Sequence, residues 1–210
     1  MRILIRLTST LIFVTLVVSI SAQTGGQGSW SSKAAMEHAA DRDRRRLRRR
    51  QAYVIGGGLA MAESSTVVQE YDPKTDRWRD RAPLPMALSH AGVAALNGRC
   101  MSSADFSRTC TSTRSPYSFE YDPAKNSWRT LPWMKAARGS VGVVALGGKI
   151  HAIGGRGIDR ITVGTHEIYD PATNQWTGRQ PLPQARDHAP TVVADGKIRR
   201  AWRPLRRDGR

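Results

Sequence analysis

Between residues 51 and 198 the chain alternates short apolar runs with clusters of turn formers, without the period of about 3.6 residues that marks an amphipathic helix. "YVIGGG" (53–58) and "HAIGG" (151–155) are apolar runs ended by glycines, the pattern of a buried strand closing into a turn that only Gly tolerates. "HAGVAALNG" (90–98), "SVGVVALGGKI" (140–150) and "HAPTVVADGKI" (188–198) are rich in Val and small residues, and each runs into an Asn-Gly, Gly-Gly or Asp-Gly pair that predicts a tight hairpin. A third pattern recurs between them: "YDPKTDRW" (71–78), "YDPAKNSW" (121–128) and "YDPATNQW" (169–176). Asp then Pro starts a turn, because proline's fixed φ suits the first inner corner. The flanking residues therefore form a second hairpin, whose two strands carry Tyr71 and Trp78, Tyr121 and Trp128, Tyr169 and Trp176.

The tyrosines follow one another at 50 and then 48 residues, a period that means an array, solenoid or propeller. Each period supplies four strands, a crowded inner one made of small residues, and a Tyr-Trp pair large enough to fill the space between neighbouring sheets. The expected class is all-β, a propeller of four-stranded blades. The body of the chain holds about three to four periods, where closed propellers have four to eight blades, so the ring is expected to be incomplete.

Gly-Gly, then Tyr, six residues and Trp is a pattern that resembles the kelch repeat, whose family fold is a ring of four-stranded blades. The resemblance covers residues 51–198 through Gly56, Gly57, Tyr71, Asp72, Trp78, Tyr121, Asp122, Trp128, Gly154, Gly155, Tyr169, Asp170 and Trp176. It extends to Trp30 and "KAAM" (33–36), which stand 48 residues ahead of Trp78 and "RAPL". In the middle copy the glycine strand is replaced by "SADFSR" (103–108), "RRR" (48–50) stands where a glycine turn belongs, and "RRAWR" follows Ile198. Spacing is kept while composition changes in blocks, as translation in a neighbouring reading frame would produce. "RRAWRPLRRDG" has codons that, read one base on, encode Gly-Gly-Arg-Gly-Gly-Arg-Phe-Gly-Asp. The expectation is that residues 37–50, 100–117 and 199–210 are out of frame and that Cys100 and Cys110 do not belong to the fold. Resequencing that found intact frames, with no glycine coding in the alternatives, would overturn this.

Arg2 and Arg6 precede an apolar run from Leu7 to Ile20 and small residues at Ser19, Ser21 and Ala22, the layout of a signal peptide over residues 1–22. The run is short for a bilayer span. The mature protein is expected to be secreted, periplasmic or extracellular, without a membrane span after cleavage. A degenerate first-blade segment with an Arg-rich run (23–50), the repeats (51–198) and a basic tail (199–210) complete the organisation.

Charge changes less than its total implies. Of the formal +16, residues 41–50 hold +5 and 196–210 hold +6, whereas 51–195 carry 16 basic against 13 acidic residues. The basic runs coincide with the aberrant blocks, follow an export signal, and contain Trp202 as their one stacking aromatic. Nucleic acid is therefore not the expected partner.

Motifs for chemistry are sparse. There is no Gly-x-Ser-x-Gly elbow, the glycines of "IGGG" end a strand and have no Gly-Lys-Ser/Thr after them, and His38, His90, His151, His166 and His188 lack metal-site spacing. No metal or cofactor is expected. Ten residues ahead of the hairpin glycine, two units carry Arg138 and Arg186, with Leu88 in the equivalent place; two residues on, His90 and His188 match. In kelch propellers similar to this one, arginines at that place line a channel mouth and take acidic groups. Guanidinium forks suit a carboxylate, although such an arginine can instead pair with a neighbouring blade's Asp or carbonyl. The resemblance implies a module binding an unknown protein or glycan, with catalysis not inferable. The alternative is a carbohydrate-acting enzyme of the galactose-oxidase or sialic-acid-mutarotase kind.

Overall fold

The computed structural model describes residues 31–36, 46–48, 51–57, 64–103 and 116–200. The chain divides into units Met1–Lys33 and Ala34–Arg210, and the described strands all lie in the second. The signal-peptide layout, Cys110, most of the first Arg-rich run and the tail beyond Arg200 lie outside the described residues.

Every regular element among the described residues is a strand. The first blade has the order β1 (Arg46–Arg48), β2 (Gln51–Ile55), β3 (Val68–Asp72), β4 (Arg77–Asp80). The second is β5 (Gly92–Leu96), β6 (Arg99–Ser103), β7 (Ser118–Asp122), β8 (Ser127–Leu131). A short strand β9 (Arg138–Gly139) precedes the third blade, β10 (Gly142–Leu146), β11 (Lys149–Ile153), β13 (His166–Asp170), β14 (Gln175–Arg179), and pairs with β12 (Arg156–Gly157). The hairpin β15 (Thr191–Ala194), β16 (Lys197–Arg200) begins a fourth. All pairings are antiparallel and in the order expected of propeller blades. The inner hairpins turn at Asn97-Gly98, Gly147-Gly148 and Asp195-Gly196, where both residues of each pair have positive φ, as a type I′ turn requires.

The Tyr-Asp-Pro…Trp motif acquires a physical meaning from its partners. Asp72, Asp122 and Asp170 each accept the amide two residues on, which closes the turn. The turn's left-handed residue, Asp76, Asn126 or Asn174, accepts the hydroxyl of Tyr71, Tyr121 or Tyr169. Asp76 and Asn126 also accept an amide from a stretch that lies ahead of their own sheet in the chain, Ala34 and Ala82 respectively. The tryptophans then latch onto that stretch: Trp78 Nε1 donates to the Ala34 carbonyl (2.9 Å), Trp128 to Ala82 (2.8 Å) and Trp176 to Pro132 (2.9 Å). Ala34, within "KAAM", therefore stands where Ala82 stands one period later. Pro132 has no amide to give Asn174, but keeps the carbonyl that Trp176 needs. Asn126→Ala, which removes one acceptor for two donors and forces alanine into a left-handed conformation, is expected to cost about 1–2 kcal/mol. Asn126→Gly should cost less, because glycine accepts that φ; urea denaturation of both variants is the check.

The core lies between blades. Tyr53, Ile55 and Val68 of the first blade meet Val93, Cys100, Phe119 and Tyr121 of the second, and Tyr53 packs edge-on to Tyr121 at 5.9 Å. Ala94 and Met101 of the second blade meet Val143, Ile150, Ala152, Tyr169 and Trp176 of the third. Small inner-strand residues are required: a Cβ on Gly92 would fall 2.8 Å from the Val141 carbonyl.

Two expectations are corrected by the structure. Cys100 is buried opposite Tyr121 in the core, in the place of Ile150 one period later, so it belongs to the fold. The fourth hairpin also continues in register through Arg199 and Arg200, so the repeat extends two residues past Ile198. Arg200 sits where the third blade has buried Ala152, and its guanidinium reaches the carbonyls of Ile153 and Arg186.

Candidate functional site

In a four-stranded antiparallel meander, the hairpins β5–β6 and β7–β8 leave by one end. The β6–β7 link and the connection from an outer strand to the next blade's innermost strand leave by the other. His90, Ser140 and His188 belong to that second end, at equivalent places directly ahead of β5, β10 and β15. All three are left-handed, with φ of 57°, 56° and 47°. A positive φ is uncommon for residues other than Gly, and its recurrence here turns the chain sharply into each innermost strand.

The innermost strands being neighbours, these residues converge. The rings of His90 and His188 stand perpendicular with centroids 5.4 Å apart. Ser140 Oγ lies 2.8 Å from His188 Nε2, and its carbonyl accepts the His188 amide. On the ring's other side, Asp187 Oδ1 is 3.2 Å from Nδ1. The second oxygen of Asp187 accepts the Thr162 hydroxyl (2.9 Å) and lies 3.9 Å from Arg156 Nε. Burial alone would raise the Asp187 carboxyl, but Thr162 and His188 hold it below the usual carboxylate range. Carboxylate and hydroxyl thus fix the imidazole from both sides. Ser140 is only 3% exposed, so the surface offered to a ligand is the exposed ring of His188, with His90 beside it.

The two arginines that share a repeat position part company. Arg138 is completely buried: Nε donates to the Gly154 carbonyl (3.0 Å), the two Nη groups to Ala136 (2.8 Å) and Ala152 (3.2 Å), and Nη1 also to the Glu167 carboxylate. Burial lowers its pKa against the pull of Glu167. Its guanidinium is committed to a glutamate and carbonyls of the third blade itself, rather than to an Asp or carbonyl of a neighbouring blade. Arg186 is half-buried, with Nη2 on Gln184 Oε1 (2.7 Å), and stays at the surface two residues from His188. What the position shares is its backbone: the carbonyls of Leu88 and Arg186 accept the amides of Gly57 and Gly155. Gly155 must be glycine, since φ is 113° and a Cβ would approach the Gly139 carbonyl to 2.7 Å. Motif spacing did not single out Ser140, Asp187, Thr162 or Arg156, although Ser140 shares the register of the two histidines.

A second histidine pair lies within the third blade. His151 Nδ1 is 3.0 Å from His166 Nε2 across β11 and β13. Burial lowers both pKa values, with Arg179 and Lys149 adding to the effect at His151, and His151 and the arginines Arg179 and Arg138 at His166. The fold favours both rings neutral, so their contribution to stability is complete above the ordinary histidine pKa of about 6.5 and declines below it, as the unfolded chain binds protons first. The thermal midpoint should therefore fall between about pH 7.5 and 5.5, and His166→Gln should flatten that dependence. Among the described residues no group of three or more His, Cys, Asp or Glu is placed to hold a metal ion, and no helix is long and apolar enough to cross a membrane.

A sequence profile of the kelch motif matches residues 50–85, which span β2 to the exit of β4. The Kelch-like protein terF of Aspergillus terreus (strain NIH 2624 / FGSC A1156) is 30% identical over 158 residues, 70% of this chain and 24% of terF. The solved structure of YjhT superposes with a TM-score of 0.71 at 16% identity, over 83% of this chain and 63% of YjhT. The chain carries a kelch motif and has the fold of a kelch-repeat β-propeller. It spans about a quarter of the length of the curated relative and under two thirds of YjhT. Within the kelch fold, the latch residues recur in the three four-stranded blades among the described residues. His90, Ser140, His188 and Asp187 lie outside the Gly-Gly, Tyr and Trp positions that define the repeat.

Proposed function

We propose that this kelch propeller is an exported binding module that takes an acidic group of a protein or glycan partner at the channel mouth, through His188, His90 and Arg186. The observation that carries this reading is the convergence of two imidazoles from different blades, one clamped between Asp187 and Ser140, with Arg186 two residues along the chain. Both ring nitrogens of His188 are engaged by Asp187 and Ser140, so its fixed ring shapes the site and loses little freedom on binding, while N–H groups of His90 and Arg186 meet the carboxylate. Arg138 supports the site from inside by holding Gly154. Export rests on the residue 1–22 layout, which N-terminal sequencing of secreted protein tests by the presence or absence of a new terminus near Gln23.

Affinity for acidic monosaccharides and for acetylated Glu-rich tetrapeptides, measured by calorimetry at low salt, tests the site. The reading expects binding to at least one class and at least tenfold loss in Arg186→Gln/His188→Asn. Equal affinity in that variant would contradict it.

A further inference from the structure

The link between β11 and β13 in the third blade is a finger with a purpose the fold does not require. Gly157 and Val163 donate to the carbonyls of Ile161 and Gly155 (2.8 and 2.9 Å), and Arg160, left-handed at φ 64°, donates to Gly157 (2.9 Å). Arg156 Nε caps the Arg160 carbonyl (2.7 Å), Asp159 accepts the Ile161 amide (2.9 Å), and β12 pins the base to β9. A loop so thoroughly hydrogen-bonded holds one shape. At its tip it nevertheless exposes two large aliphatic side chains, Ile158 at 68% and Ile161 at 61%. Solvent-exposed isoleucines on a rigid support gain nothing for stability, and rigid apolar anchors are what protein interfaces use.

The finger is also joined to the channel mouth. Thr162 Oγ1 donates to Asp187, the carboxylate that orients His188, and Arg156 approaches the same group. The charge around the tip is uneven. Arg156, Arg160 and Arg186 stand against Asp159 and Asp187, an excess of one positive charge, and each acid has at least one oxygen turned to a partner within the fold. The surface is therefore aliphatic with a small basic excess around it. A sugar ring would call for an aromatic platform, and the finger offers none.

We infer that the finger 156–162 is a docking anchor for an extended, acidic protein segment carrying aliphatic side chains, which packs on Ile158 and Ile161 while its carboxylates meet Arg156, Arg160 and the channel mouth. This rests on the reading that partners engage the channel-mouth face, and it selects protein over glycan.

The test is selection of binders from a random dodecapeptide phage library by the intact chain and by two variants, Ile158→Ser/Ile161→Ser and Arg186→Gln/His188→Asn, followed by affinity measurement on synthetic peptides. Thermal unfolding controls for folding, which surface substitutions at the tip should leave intact. The intact chain should enrich peptides combining aliphatic and acidic residues, and the isoleucine variant should bind them at least tenfold more weakly. Enrichment of peptides without aliphatic residues, undiminished affinity in the isoleucine variant, or no enrichment at all overturns the inference. If the isoleucine variant loses binding while the arginine-histidine variant keeps it, the finger stands and the channel-mouth carboxylate reading fails.

Discussion

Replacing Glu167 by alanine is expected to destabilise the fold by about 3–5 kcal/mol, among the largest single effects available in this chain. Glu167 and Arg138 are both almost fully buried, with side-chain exposures of 3% and 1%, and Glu167 also accepts the Lys135 amide at 2.7 Å. Without the carboxylate, a guanidinium remains in the interior of the third blade with only carbonyls as partners, and the desolvation of its charge is no longer offset. Urea denaturation gives the size of the loss. Removing both charges, as Glu167→Met with Arg138→Met, should recover part of it, because a buried ion pair contributes less than breaking it costs. A cost below about 1 kcal/mol for the single substitution would mean that Arg138 reaches water.

The second large effect is at Trp176, and here the repeat allows a graded comparison. Trp176 is 5% exposed and packs with Tyr169 (centroids 5.4 Å apart) in the core between the second and third blades. Trp176→Ala removes that packing together with the indole bond to Pro132, and should cost about 3–5 kcal/mol. Trp128 occupies the same place between the first and second blades but is only partly buried, and Trp78, also half-buried, reaches back to Ala34. The expected order of destabilisation is Trp176, Trp128, Trp78. Chemical denaturation of the three alanine variants checks it, and equal costs would show that the latch bond, common to all three, outweighs burial.

These two sites show where sequence was sufficient and where it stopped. The Tyr-Asp-Pro turns, the Asn-Gly and Asp-Gly hairpins and the glycine-ended strands are local features: each is decided by backbone conformation within about ten residues, so their order and pairing were readable from the chain. The match of "KAAM" to "RAPL" was readable for the same reason. Partners brought together from separate blades were not. Arg138 and Arg186 share a register, yet one has Glu167 within reach and the other has Gln184, and nothing in the spacing distinguishes them. Ser140 does not stand out beside His90 and His188 because it is not a histidine, although its left-handed backbone and its place ahead of β10 make it the third member of that set. Cys100 begins a compositionally aberrant block, which argued against its belonging to the fold, but a buried strand position opposite Tyr121 asks only for a modest apolar side chain, which cysteine supplies.

The functional reading turns on the convergence of His90, Ser140 and His188 rather than on the repeat itself. The most direct measurement is two-dimensional NMR of the histidine ring nitrogens while an acetylated Glu-rich tetrapeptide is titrated into the intact chain. Binding at the channel mouth predicts that the His188 and His90 ring signals shift and saturate together, while those of His151 and His166, held within the third blade, stay in place. Movement of the His151 and His166 signals with His90 and His188 unchanged would contradict the account and place ligand binding elsewhere on the propeller.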